Sequence, residues 1–194
     1  MRFVLATFNR DKARELQALL AVPDVEIVPL ADWAGATAPE EDGDTLLANA
    51  RIKAAAALLR TGLPAIADDT GLEVDALGGR PGVHAARYAG PGATYADNVA
   101  KLLAEMRDVP VAKRTARFRT ACVALFPDGG EYVAEGTLEG AIGTAPVGEN
   151  GFGYDPVFVL PDGRTLAQLS AGEKNSSSHR ARAIRALAAR LAAR

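Results

Sequence analysis

Apolar residues follow two rhythms along this chain. Short apolar runs bounded by polar or glycine-containing turns occur in RFVLAT at 2–7, VEIVPL at 25–30, LPAIADD at 63–69 and VFVL at 157–160, and predict buried strands. Between them apolar positions recur at helical spacing: Ala13, Leu16, Leu19 and Leu20; an alanine-rich stretch from about Thr45 to Arg60; YADNVAKLLAEM at 95–106; and Ile184, Leu187, Ala188 and Leu191 near the C-terminus. Asn9 is placed to cap the first of these helices, and a serine among Ser176–Ser178 the last. Two longer apolar stretches, ARFRTACVALF at 116–126 and EYVAEGTLEGAIG at 131–143, flank PDGG, a hairpin signal. Strands separated by helices early and a long hairpin later predict an α/β fold with one mixed sheet. We expect a single domain over residues 1–194, built as two lobes with a cleft between them.

The totals narrow the chemistry. A net charge of −2 gives no general footprint for a polyanion, so nucleic acid is a poor partner. No run of eighteen apolar residues occurs and the start is too short for a secretory leader, which predicts a cytoplasmic protein with no membrane partner. Cys122 stands alone in an apolar run, so it reads as a buried inert thiol. With that one cysteine and two histidines, a zinc site is improbable, and any metal is a hard cation on carboxylates. Arginine outnumbers lysine 17 to 5, so Lys12, Lys53 and Lys174 draw notice where they fall.

Four stretches carry candidate chemistry. In LATFNRDK a strand feeds a polar turn and a helix N-terminus, where unpaired N–H groups and Lys12 together suit a phosphate; a solvated lysine on an ordinary turn is the alternative. Neither GxxxxGK[ST] nor a strand-linked GxGxxG is present. Thr45, Asn49 and Lys53 align at four-residue intervals on one helix face, downstream of the acids Glu40, Glu41, Asp42 and Asp44. In AIADDTG, Asp68 and Asp69 are adjacent at the end of an apolar strand and would repel each other unless a cation or a shared proton intervened, which favours Mg2+ held by Asp69 and an acid of the Glu40 segment; turn capping is the alternative. The DxDxT phosphatase signature does not fit, because its second Asp comes two residues on. In GEKNSSSHRARA, Arg180 falls in the first turn of a helix, where a cation opposes the dipole unless an anion or carbonyl compensates. Ser178 and His179 point about 100° apart on a helix and no GxSxG elbow exists, so acyl transfer is not indicated.

These stretches, in this order, resemble the signature blocks of the inosine triphosphate pyrophosphatase family: LATFNRDK, EEDGDTLLANARIKA, AIADDTGLEVDALGGRPGVHAARYAG, GFGYDPVF and EKNSSSHRARA. The likeness spans nearly the whole chain. It implies an elongated α/β fold with a central mixed sheet, two lobes around a nucleotide-binding cleft, a homodimer and Mg2+. It also implies hydrolysis of purine nucleoside triphosphates such as ITP, dITP and XTP, between the α and β phosphorus atoms, to monophosphate and pyrophosphate. By position, Thr7, Phe8, Asn9, Arg10, Asp11 and Lys12 would hold the phosphates, with Lys53 beside them; Glu40 and Asp69 would bind the metal, and Asp69 would be the base for water. Thr70, Phe152, Gly153, Tyr154, Asp155, Lys174, His179 and Arg180 are similar to the family's substrate contacts.

Some positions depart from the pattern: Phe8 where glycine is frequent, Thr70 for serine, Ala86 for serine and Gln168 for glutamate. Phe8 matters most, since a bulky side chain in a phosphate turn limits backbone approach unless its ring points away. The loop GENGFGYDP, with Gly148, Gly151 and Gly153 around two aromatic rings, fits a flexible backbone that lays Phe152 on a purine; anchoring the loop to the core is the alternative. Three rivals stay open: a Maf-like pyrophosphatase for pyrimidine or modified nucleotides, against which the SHR block argues; a nucleotide-binding regulatory module; and a magnesium phosphatase releasing orthophosphate.

Overall fold

The computed structural model describes residues 2–20 and 25–193. The chain forms two compact units: Met1–Asp69 with Thr120–Gly136 and His179–Arg194, and Thr70–Arg119 with Thr137–Ser178. Three long strands, β3 (Ala65–Val74), β5 (Thr115–Leu125) and β6 (Glu131–Ile142), contribute residues to both. With β1 (Arg2–Leu5), β2 (Glu26–Pro29), β4 (Pro81–Gly82) and β7 (Phe158–Val159) they make a mixed sheet of order β2-β1-β3-β5-β6-β7, with β4 on β3. Among the described residues five α-helices accompany it: α1 (Arg10–Leu19), α2 (Leu46–Thr61), α3 (Tyr95–Glu105), α4 (Ala171–Ser177) and α5 (His179–Ala192). The expected α/β class with a mixed sheet is what forms. Among the described residues no helix is long and apolar enough to cross a membrane.

In the first unit β1 pairs in parallel with β2 and β3, with Val4 opposite Val28 and Leu5 opposite Ile66. Successive strand residues point to opposite faces, so each face has its own core. One takes Phe3, Leu5, Ile66, Cys122 and Ala124 against Leu16 and Leu20 of the α1 segment and Ile184 and Leu187 of α5. The other takes Val4, Ala6, Ala65, Ala67 and Val123 against Ala50, Ala54 and Ala57 of α2. Helix α2 starts where Thr45 accepts the Ala48 N–H (3.1 Å), a cap worth about 1 kcal/mol. It ends at Gly62, whose φ of 70° is the left-handed closure that glycine adopts without strain. The Cys122 thiol is fully buried, and desolvation pushes its pKa well up.

The second unit packs Leu72 and Val74 of β3, Phe118 of β5, Leu138 and Ile142 of β6, Phe158 of β7 and Val99 and Leu102 of α3. Gly140 is required for this packing, because a Cβ there would sit 2.6 Å from the Phe158 ring. Arg114, 4 % exposed, donates to the carbonyls of Met106 (2.5 Å), Val109 (3.0 Å) and Gly143 (2.8 Å), closing the end of α3 onto the loop after β6.

Two elements differ from the sequence expectation. The third strand does not stop at its carboxylates but runs on to Val74, because Leu72 and Val74 resume the alternation and bury fully. A short additional helix, α4, with Ser170 and Glu173 as its capping box, precedes the last one; Ser178 adopts extended geometry (ψ 161°) and α5 starts at His179, so His179 and Arg180 stand in its first turn as expected.

Candidate active site

Asp68 and Asp69 do not share one environment. As neighbours on β3 they project to opposite faces, so the repulsion expected from their adjacency is removed by strand geometry. Asp69 lies on the α2 side. Its Oδ1 accepts from Lys53 Nζ at 2.8 Å and its Oδ2 from Asn49 Nδ2 at 3.5 Å. The same ammonium donates to Glu41 Oε2 at 2.9 Å, and Asn49 Oδ1 accepts the Gly43 N–H at 2.8 Å. The helical spacing of Asn49 and Lys53 therefore serves to aim both at Asp69 while tying down the acidic loop; Thr45, the third member of the stripe, is used as the cap.

Asp68 lies on the α1 and α5 side. Lys12 Nζ is 3.7 Å from its Oδ2, and Arg180 Nε donates to the same oxygen at 3.1 Å. Arg180 also donates through Nη1 to Glu15, so the anion that its place at a helix N-terminus demands is supplied by two carboxylates. Glu15 carries no motif; only its apolar-face neighbours on α1, one turn from Lys12, hint at it.

The two acids titrate in opposite directions. Burial pushes the Asp69 carboxyl up, and Lys53 and Lys12 offset only part of that. Burial would also raise Asp68, but Lys12, Arg180 and Lys53 together hold it below the usual carboxylate range. Lys53 resists its own desolvation because Asp69, Asp68 and Glu41 surround it, and its pKa rises. Lys12, more desolvated than compensated, falls. Asp69 is thus the carboxyl of the pair with raised proton affinity, and Asp68 the one its cations hold as an anion.

The phosphate-turn candidates lie around α1. Thr7 is buried and its Oγ1 accepts the Asn9 N–H at 3.2 Å. Asn9 Oδ1 caps the N–H groups of Asp11 (2.9 Å) and Lys12 (3.1 Å). The expected cap is present, and it occupies amides that the expectation had left open for an anion, which shifts that task toward the Lys12 ammonium. Arg10 is exposed and Asp11 pairs with Arg14 at 3.1 Å. Phe8 is 38 % exposed.

Of the metal candidates, Glu40 is exposed and it is Glu41 that shares Lys53 with Asp69. Among the described residues no group of three or more His, Cys, Asp or Glu is arranged to hold a metal ion. Two carboxylates converging on one cation are nevertheless a donor set of the hard-oxygen type that suits Mg2+, which takes one or two carboxylates and completes its shell with water and phosphate.

The second unit holds a separate cluster. Asp155, 2 % exposed, accepts the Phe152 N–H at 2.9 Å and a hydrogen bond from the buried Lys174 ammonium. Lys174 Nζ in turn lies 4.6 Å from the Phe152 ring centroid, a cation–π contact. Tyr154 is buried in the core with its hydroxyl donating to the Ala85 carbonyl at 2.8 Å, so of the two rings Tyr154 anchors the loop and Phe152 is the half-buried one. Gly148, Gly151 and Gly153 all have positive φ. Gly151, at φ 74°, also leaves no room: a Cβ would stand 2.1 Å from Asp155 Oδ2. Gly151→Ala is expected to cost about 1–3 kcal/mol from backbone strain, with Asp155 displaced in addition, readable by thermal denaturation. Thr70 follows Asp69 on β3, half-buried, and His179 is buried at the start of α5.

A family model described as the Ham1 family matches residues 3–190 of the chain. The chain belongs to the Ham1 family. Its relatives include the dITP/XTP pyrophosphatase of Geobacillus kaustophilus, 52 % identical over 93 % of this chain and 89 % of that protein. The dITP/XTP pyrophosphatase of Thermus thermophilus is 49 % identical over 96 % and 90 %. Among solved structures, a HAM1 protein from Coxiella burnetii superposes with a TM-score of 0.90 at 38 % identity, covering all of both chains. A dITP/XTP pyrophosphatase from Mycobacterium abscessus gives 0.77 at 44 % identity, over 96 % and 97 %. Ham1 membership and this fold were both legible in the five ordered sequence blocks.

Proposed function

We propose that this chain is a cytoplasmic, homodimeric nucleoside triphosphate pyrophosphatase that hydrolyses ITP, dITP and XTP to the monophosphate and pyrophosphate, and so clears non-standard purines from the nucleotide pool. The observation that carries the reading is the Asp69 carboxylate, buried, raised in proton affinity and oriented by Lys53 and Asn49, in a Ham1 chain whose relatives bear the name dITP/XTP pyrophosphatase.

In this reading the Lys12 ammonium, with side chains of Thr7 to Asp11 around it, holds the triphosphate, and Lys53 adds charge beside it. Asp69 orients the attacking water and takes its proton; Lys53 and Asn49 fix the carboxylate so that little reorganisation is needed at the moment of attack. Asp69 with Glu40, or with the Glu41 that shares its lysine, holds Mg2+. When bound, that ion neutralises phosphate charge and steadies the departing pyrophosphate. In the second unit Phe152 offers its ring to the purine, with Gly153, Tyr154, Asp155 and Lys174 as its support and Thr70 as a further contact. His179 and Arg180 donate toward a 6-carbonyl, which hypoxanthine and xanthine present and adenine does not. A buried donor facing the adenine amino group is a mismatch able to discriminate by about 10⁴.

One assay decides the reading. The protein is incubated with ITP, dITP, XTP, GTP, ATP and UTP with and without Mg2+, and the products are resolved. Pyrophosphate and nucleoside monophosphate from ITP, dITP and XTP, requiring Mg2+, are expected. Orthophosphate as the first product, preference for UTP, or binding without turnover would each replace this reading with one of its rivals.

A further inference from the structure

Phe152 sits in a loop whose backbone takes positive φ at Gly148, Gly151 and Gly153. Its N–H is fixed by Asp155, and its ring is met by the Lys174 ammonium. A third neighbour belongs to no sequence block. The ring of Tyr95 lies 5.9 Å from that of Phe152, centroid to centroid, at an interplanar angle of 36°.

Tyr95 is held more firmly than its surface position suggests. It is the first residue of α3, directly after Thr94, and Thr94 and Asp97 close a reciprocal capping box: Thr94 Oγ1 accepts the Asp97 N–H at 3.2 Å and Asp97 Oδ2 accepts the Thr94 N–H at 2.9 Å. One residue further on, the buried Asn98 accepts the Ala89 N–H at 2.8 Å and donates to the Ala86 carbonyl at 3.1 Å, which ties the same helix end to the glycine-rich loop before it. The start of α3 is thus a fixed post, and the tyrosine on it keeps 42 % of its surface open. An exposed aromatic on a doubly anchored helix terminus, its ring against that of a loop phenylalanine, has no core to serve.

We propose that Tyr95 is a positioning residue for the nucleobase: with Lys174 it sets the plane of the Phe152 ring against which a flat heterocycle stacks. The inference rests on the reading that Phe152 takes the purine. Because such a contact acts on substrate and transition state alike, it appears in KM rather than in kcat. A tilted aromatic pair of this kind corresponds to about a three- to tenfold change in affinity. The contact is between rings, and phenylalanine keeps that ring.

The test measures KM and kcat for ITP with Mg2+ on the full chain, together with inhibition by inorganic tripolyphosphate, which has phosphates but no base. Tyr95→Ala is expected to raise KM for ITP about three- to tenfold with kcat and tripolyphosphate inhibition unchanged, and Tyr95→Phe to behave as the parent. Phe152→Ala is measured alongside. If Phe152→Ala raises KM and Tyr95→Ala does not, the role of Tyr95 is overturned while the base reading stands. If Tyr95→Ala weakens ITP and tripolyphosphate equally, or lowers kcat with KM unchanged, the residue is structural and the proposal fails. If Phe152→Ala itself leaves KM unaltered, the base reading falls and this inference with it.

Discussion

Replacing Asp69 by asparagine is expected to lower kcat for ITP by about 10³-fold or more while the protein stays folded, because both the proton acceptor and an anionic metal ligand disappear in one step. The fold survives for a reason visible around the residue. Burial already disfavours the charged carboxylate, asparagine has nearly its shape, and Lys53 keeps Glu41 as its counter-ion. The pair of measurements is steady-state turnover and a thermal melt on the same preparation. A folded variant with turnover near that of the parent would remove Asp69 from the chemistry.

Arg180→Ala is expected to do the reverse, striking stability first. The guanidinium is 2 % exposed and bridges Asp68 and Glu15, so its removal takes a shared counter-ion from two carboxylates. Breaking a buried pair in this way costs about 3–5 kcal/mol, which for a chain of this length lowers the melting temperature on the order of 10 °C. Arg180→Lys keeps the charge without the planar fork and should fall between the two. A melting temperature for Arg180→Ala within roughly 2 °C of the parent would mean that Asp68 and Glu15 do not depend on it. Where the alanine variant remains folded at low temperature, its preference for ITP over ATP tests the separate proposal that Arg180 reads the base.

What the sequence made legible was local. Asn9 and the PDGG turn announce their roles through residue type and spacing, and each stands where expected, whereas Thr45, read as one of a polar stripe, is the cap of α2. What stayed hidden depends on partners far along the chain. The adjacency of Asp68 and Asp69 suggested a shared cation, yet the two-residue period of a strand separates them, and their true counter-ions come from 12, 53 and 180. Glu40 and Glu41 are indistinguishable on paper; the side chain that meets Lys53 is chosen by the path of the irregular loop before α2. Tyr95 looked like the first letter of an amphipathic helix, because no local pattern reports a ring contributed by a loop 57 positions later.

Cys122 gives the molecule a built-in chronometer. It is the chain's single thiol, sealed between β1, β3 and two helices, and its raised proton affinity makes it inert while that enclosure holds. Modification by a thiol reagent therefore clocks how often the first unit breathes open, without any label having to be introduced.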